Sequence, residues 1–220
     1  LELILERELE HQQKAVEAIV GALESVQIAK PSLAYENPTF DHKDIKVIQN
    51  ISDLQKNIRQ DYRGCHDTGD YLNLDIKMET GTGKTYVYTQ AIYELHKHYG
   101  FNKFIIAVPS LPIKAGTRQF ISDTYVRHHF SDACGYNCDI ELGVLESPKK
   151  KKKGFLAMPS PVRDFVSGSC QNSNRIYVLL VNMQLLTNGN MLTRSDYDYL
   201  VEGFYRPFDA LRATKPVVII

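Results

Sequence analysis

The chain has 220 residues, of which 43% are hydrophobic, 24% charged and 10% aromatic, the composition of a folded domain and not of a disordered tail or a fibre. Lys and Arg number 26 against 26 Asp and Glu, so bulk charge gives no reason to expect a nucleic-acid partner and leaves any such contact to a local patch. The longest apolar runs, Ile176 to Val181 and Phe104 to Val108, fall far below the roughly 18 residues of a bilayer span.

The first eight residues mix leucine with charge, lack a basic leader and a small-residue cleavage site, and so do not read as a secretory signal. They also begin without Met, as a trimmed chain would. Apolar positions Leu9, Ala15, Val16, Ile19, Val20 and Leu23 recur at helical spacing, which predicts a helix over residues 9–23. From 29 to 70 the periodicity dissolves among Pro31, Asn37-Pro38, Asp41 and Gly64, which reads as an insertion, with mixed helix or strand character only at 45–58.

Residues 71–78 alternate as a strand does, 79–83 form a glycine-containing loop, and Val87, Ala91, Ile92 and Leu95 share one face of a helix over 84–98. After Tyr99-Gly100 comes Phe104 to Val108, an apolar run fit for a strand buried on both faces. Strand, loop, helix and strand make a βαβ unit. Pro109-Ser110 then opens a helix to about residue 130, and 140–145 is a strand. A lysine-rich loop is expected near 146–160, around Lys149 to Lys153; like-charge runs favour a solvated, exposed loop over a DNA contact. A buried strand at 175–181, a partly helical stretch at 197–211 and a strand at 217–220 complete an open, mostly parallel α/β sheet.

Cys65, Cys134, Cys138 and Cys170 form no disulfide framework, which fits a reducing, cytoplasmic setting. Cys134 and Cys138 beside His128 and His129 give the one spacing worth testing for zinc, but a tetrahedral site needs four converging ligands, and ordinary thiols are the favoured reading.

The chemistry concentrates in Glu79-Thr80-Gly81-Thr82-Gly83-Lys84-Thr85. Glycines at 81 and 83 let backbone amides turn toward a polyphosphate, and the following helix start adds unpaired N–H groups and a favourable dipole. In that role Thr80 to Thr85 bind the phosphates, Lys84 bridges the β- and γ-phosphates as the catalytic lysine, and the Thr85 hydroxyl takes one position on Mg²⁺. Met78 stands where the phosphate-loop pattern has its first glycine.

The segment from Asp75 to Thr89 resembles the first motif of superfamily 2 helicases, where Met at the opening position is common. More narrowly it resembles the Res (restriction) subunit of type III restriction-modification enzymes. Tyr99 to Ser110 continues the likeness, and Val181-Asn182-Met183-Gln184 and Pro216 to Ile220 sit where that family would place them. The resemblance implies a RecA-like P-loop NTPase domain, incomplete here, with residues 1–220 as the N-terminal motor domain.

It also gives Leu9 to Ala15 a likeness to the glutamine motif, in which Gln12 would pair with the adenine edge. Spacing alone would leave both Gln12 and Gln13 as exposed helix residues. Pro109 and Ser110 resemble the motif that touches the DNA backbone; Ser110 could bond a phosphate or cap a helix, and the two roles are compatible.

The implied activity of the intact protein is that of an ATP-dependent type III site-specific deoxyribonuclease. Its cofactors are ATP and Mg²⁺, its substrate is double-stranded DNA, and its partner is a modification methyltransferase subunit. The acidic pair that holds Mg²⁺ and orients water is expected just after Ile220, and a second motor domain and the nuclease also lie outside the chain, so the fragment itself should bind nucleotide poorly and catalyse nothing. The rival readings are a superfamily 2 helicase or translocase without nuclease activity, and a non-catalytic nucleotide- or DNA-binding module.

Overall fold

Two units divide the chain: a helical one built from Glu2–Lys30 and Thr39–Tyr99, and a sheet-containing one built from Pro31–Pro38 and Gly100–Ile220. The computed structural model describes residues 5–6, 9–57, 71–147, 157–171, 174–188 and 190–220. The expected lysine run, Lys149 to Lys153, lies outside the described residues, as does Cys65.

The helical unit holds α1 (Glu10–Gly21), α2 (Ile45–Asn57) and α3 (Lys84–Tyr99). α1 packs against α3, and Tyr99 donates to the Val20 carbonyl at 2.7 Å. On α2, Val47 and Ile51 are buried one turn apart, and α3 buries Val87, Ala91, Ile92 and Leu95, the face expected from their spacing.

The expected strand over 71–78 is not formed, and the βαβ unit loses its first member. This segment carries no ladder, Tyr71 is 65% exposed and Ile76 42%. Alternation specifies a strand only where a neighbouring strand supplies the hydrogen bonds. The described part of the helical unit offers only the isolated antiparallel bridge between Ala29 and Thr39.

The sheet unit carries β1 (Lys103–Val108), α4 (Leu111–Ser122), α5 (Thr124–His128), a π-helical turn (His129–Ala133), β2 (Asp139–Val144), α6 (Ser160–Ser167), β3 (Arg175–Asn182), α7 (Met183–Asn188), α8 (Asn190–Thr193), α9 (Pro207–Ala213) and β4 (Val217–Ile219). The strands pair in the order β2-β3-β1-β4, all parallel. β1 is buried along its whole length and β3 at all but its first residue, the pattern that continuous apolar runs imply for a sheet covered on both faces. Ile105, Leu179 and Val181 share one cluster with Val162, Phe165, Leu192 and Ala210 from the following helices. The alternate residues Phe104, Ile106, Val178 and Leu180 are buried as well; α4 packs on β1, β2 and β3 and contributes nothing to that first cluster.

Three differences from the sequence expectations have identifiable causes. The single helix expected to residue 130 breaks at Asp123, whose Oδ1 accepts from the amides of Tyr125 and Val126 and starts α5 afresh. α6 opens on Ser160-Pro161 with Val162, Phe165 and Val166 buried, too short a period to stand out in the sequence. Within the expected insertion at 29–70, Pro31–Pro38 belongs to the sheet unit. Asn37 is fully buried there. Its Nδ2 donates to the carbonyls of Lys103 (2.8 Å) and Lys215 (3.2 Å), and its Oδ1 accepts from the amides of Asn102 (2.8 Å) and Lys103 (2.9 Å). One side chain thus ties the entries of β1 and β4 together.

Lys103, the first residue of β1, is also fully buried. Its ammonium donates to the carbonyls of Phe165, Val166 (3.5 Å) and Gly168 (2.6 Å) at the end of α6 and lies 4.2 Å from the centre of the Tyr177 ring. These acceptors complement a cation at a helix C-terminus. Burial nonetheless pulls its pKa down to about 8, against the raising influence of Cys170, Glu141 and Glu202. Between pH 8 and the ordinary lysine value the unfolded chain therefore binds more protons than the folded one, and stability rises with pH across that window. Urea unfolding of the wild type and of Lys103→Met at pH 7.5 and pH 10 should show the wild type gaining about 2 kcal/mol relative to the variant. A difference that stays constant with pH would show that the ammonium is not held at this cost.

Candidate functional site

In the helical unit, residues 79–85 lead directly into α3. Gly81 and Gly83 adopt φ of 85° and 83°, while Thr82 between them does not enter that region. Alternation of this kind curls successive amides toward a common side, and glycine adopts it without the steric penalty a side chain meets. The first intrahelical bond runs from Val87 N to Gly83 O at 3.0 Å. α3 runs for 16 residues from Lys84, and the N-terminus of such a helix, through its dipole and its opening amides, attracts an anion.

The carbonyl of Glu79 holds the loop together. It accepts from Thr82 Oγ1 at 2.7 Å and from Lys84 Nζ at 2.6 Å. Thr80, Gly81 and Lys84 are exposed, and Thr85 is half-buried at the second position of α3. The lysine is therefore anchored over its own loop through a surface contact that a stronger acceptor can replace.

Gln12, buried on α1, donates from Nε2 to the Thr82 carbonyl at 3.0 Å. The side chain for which the resemblance implies a role at the adenine edge is thus held against the loop backbone through its amide nitrogen. The approach is close enough that a Cβ on Gly83 would collide with Gln12 Nε2. Glycine at 83 thus answers both the positive φ and the contact.

In the sheet unit, Pro109 is exposed and Ser110 half-buried at the C-terminal end of β1. Ser110 caps α4, its Oγ accepting from Ile113 N at 3.5 Å. The register Val108↔Asn182 places Asn182 and Met183 at the same edge, and Asn182 Oδ1 accepts from Gln184 N at 3.0 Å where α7 begins. Two segments singled out in the sequence are therefore brought side by side at the C-terminal edge of a parallel sheet, the edge at which open α/β sheets bind ligands.

Cys134 Sγ lies 3.7 Å from His129 Nε2, yet among the described residues no group of three or more His, Cys, Asp or Glu side chains could hold a metal. Burial, with Asp139 adding to it, pushes the Cys138 thiol up to about 11, and none of Cys134, Cys138 and Cys170 is in a disulfide. No helix among the described residues is long and apolar enough to cross a membrane.

A family model described as "Type III restriction enzyme, res subunit" matches residues 7–204. The chain belongs to this family. It is 39% identical to the StyLTI Res subunit of Salmonella typhimurium over 99% of its length, 36% to the EcoP15I Res subunit of Escherichia coli over 98%, and 34% to the EcoPI Res subunit of Escherichia phage P1 over 98%. It spans 20%, 23% and 22% of those three relatives respectively.

Sequence reasoning about this Res-family chain missed two groups at the loop. His11 Nε2 lies 3.1 Å from the same Thr82 carbonyl that Gln12 bonds, and the Glu79 carbonyl acts as a hub. The only sequence signal for His11 is its place beside Gln12, and a backbone carbonyl leaves no signal in side-chain identity. The donor set suits a polyphosphate: a glycine turn with positive φ, a lysine anchored over it, a helix start and a threonine hydroxyl at the entry of α3.

Proposed function

We propose that this chain is the nucleotide-binding part of the DNA-dependent ATPase motor of a type III restriction endonuclease, the intact protein being an ATP-dependent, site-specific deoxyribonuclease of the cytoplasm. The observation that carries the reading is the pair of positive-φ glycines at the start of α3, within a chain of the Res-subunit family.

ATP with Mg²⁺ is the ligand that fits. The amides of 80–85 would hold its phosphates, Lys84 would leave the Glu79 carbonyl for them, and the Thr85 hydroxyl would offer Mg²⁺ an oxygen. When bound, the metal neutralises charge on the transferred phosphoryl group. The protein's own part is orientation: Gln12 fixes the Thr82–Gly83 peptide, and Glu79 keeps Lys84 close before nucleotide arrives. Ser110, with Pro109 at the sheet edge, is positioned to bond a phosphate of double-stranded DNA, a contact that sets position and not sequence. Sequence choice would then fall to a partner modification methyltransferase.

The test is phosphate release by the intact protein with its methyltransferase, with and without duplex DNA carrying the recognised site. ATP hydrolysis that depends on Mg²⁺ and rises with DNA is the expected result. A protein that cleaves DNA at full rate without nucleotide would overturn the motor reading.

A further inference from the structure

Two side chains of α1 converge on one backbone oxygen. Gln12 Nε2 and His11 Nε2 stand 3.0 Å and 3.1 Å from the Thr82 carbonyl. A carbonyl accepts but cannot donate, so His11 must carry its proton on Nε2 to make this bond. With two lone pairs and two donors the acceptor is fully used. The neighbouring carboxylate of Glu10 is paired with Lys14 one turn on.

The consequence follows from peptide geometry. The Thr82 carbonyl and the Gly83 amide belong to the same planar, trans peptide group, and there the C=O and N–H point in opposite directions. Drawing the oxygen toward α1 turns the Gly83 N–H away from α1. Glycine at 83 has no side chain to hold that peptide plane, and a flexible φ makes it easy to rotate. One donor leaves the plane free to rock about a single bond; two donors from adjacent helix positions fix it.

Resting on the nucleotide-binding reading above, we propose that His11 is a positioning residue for the phosphate loop. It acts with Gln12 as a second latch that aims the Gly83 amide at a bound phosphate. His11 is exposed and contributes through this bond, not through packing.

The test compares wild type, His11→Phe, which keeps a ring without the donor, and His11→Gln, which restores an amide donor, each in the intact protein. Binding of Mg-ATP and of magnesium with inorganic tripolyphosphate is measured by calorimetry, and ligand-free melting temperature is recorded. A lost hydrogen bond predicts that His11→Phe binds both probes about fivefold more weakly, that His11→Gln recovers most of the loss, and that ligand-free melting is unchanged in all three. Equal binding by His11→Phe and wild type overturns the latch while the nucleotide site stands. Weaker binding of ATP with tripolyphosphate unaffected also overturns it, because His11 would then be meeting the base. Failure of the wild type to bind either probe overturns the nucleotide reading and the latch with it.

Discussion

Replacing Lys84 with alanine should, on the proposed nucleotide-binding reading, abolish the stabilisation that bound nucleotide would confer while leaving the ligand-free protein as stable as the wild type. Saturation at a hundred times Kd stabilises a folded protein by about 2.7 kcal/mol, and this shift is what Lys84→Ala removes. The second half of the expectation follows from exposure. Lys84 lies at the surface and its Nζ contact to the Glu79 carbonyl is open to water, so its loss costs the apo fold no more than about 0.5 kcal/mol. ATP hydrolysis by the intact protein should fall by about a hundredfold or more, as it does when a preorganised donor to developing charge is deleted. The check is thermal melting of wild type and variant with and without Mg-ATP, alongside phosphate release. An undiminished nucleotide shift in the variant would remove Lys84 from the site.

Asn37→Leu should give the largest loss of stability of any substitution considered above, about 3–5 kcal/mol. Every hydrogen-bonding position of this amide is used: two donors on the carbonyls of Lys103 and Lys215, two acceptor sites on the amides of Asn102 and Lys103. Leucine has similar bulk but no polar atom, so two amides and two carbonyls lose this partner, three of them in buried positions and the Lys215 carbonyl in a partly buried one. Each unmet group costs on the order of 1–3 kcal/mol, with the sum reduced by relaxation. The loss falls where β1 and β4 enter the sheet, so the folded state of the sheet unit is weakened and not merely a loop. Urea denaturation followed by circular dichroism would measure it. A change below about 1 kcal/mol would mean that the clip is dispensable.

The sequence alone determined the parallel sheet and the glycine turn before α3, for a shared physical reason. Strands buried on both faces must be continuously apolar, so the runs at 104–108 and 176–181 disclosed β1 and β3 with their boundaries shifted by a residue. A backbone that must enter positive φ just before a helix needs glycine at fixed places, and Gly81 and Gly83 are legible as such. The tertiary structure decided the rest. Whether the alternating residues 71–78 form a strand depends on a partner edge, which no local pattern encodes. Asn37 reads as a turn residue beside Pro38, and only the entries of β1 and β4, 65 or more residues away in the chain, make it a buried clip. Spacing alone leaves Gln12 an exposed helix residue and gives His11 no signal of its own, until the fold brings the Thr82 carbonyl, some 70 residues away in the chain, within reach of both. Periodicity and backbone freedom are properties of neighbouring residues, whereas a hydrogen bond to a distant carbonyl is created only when the chain has folded.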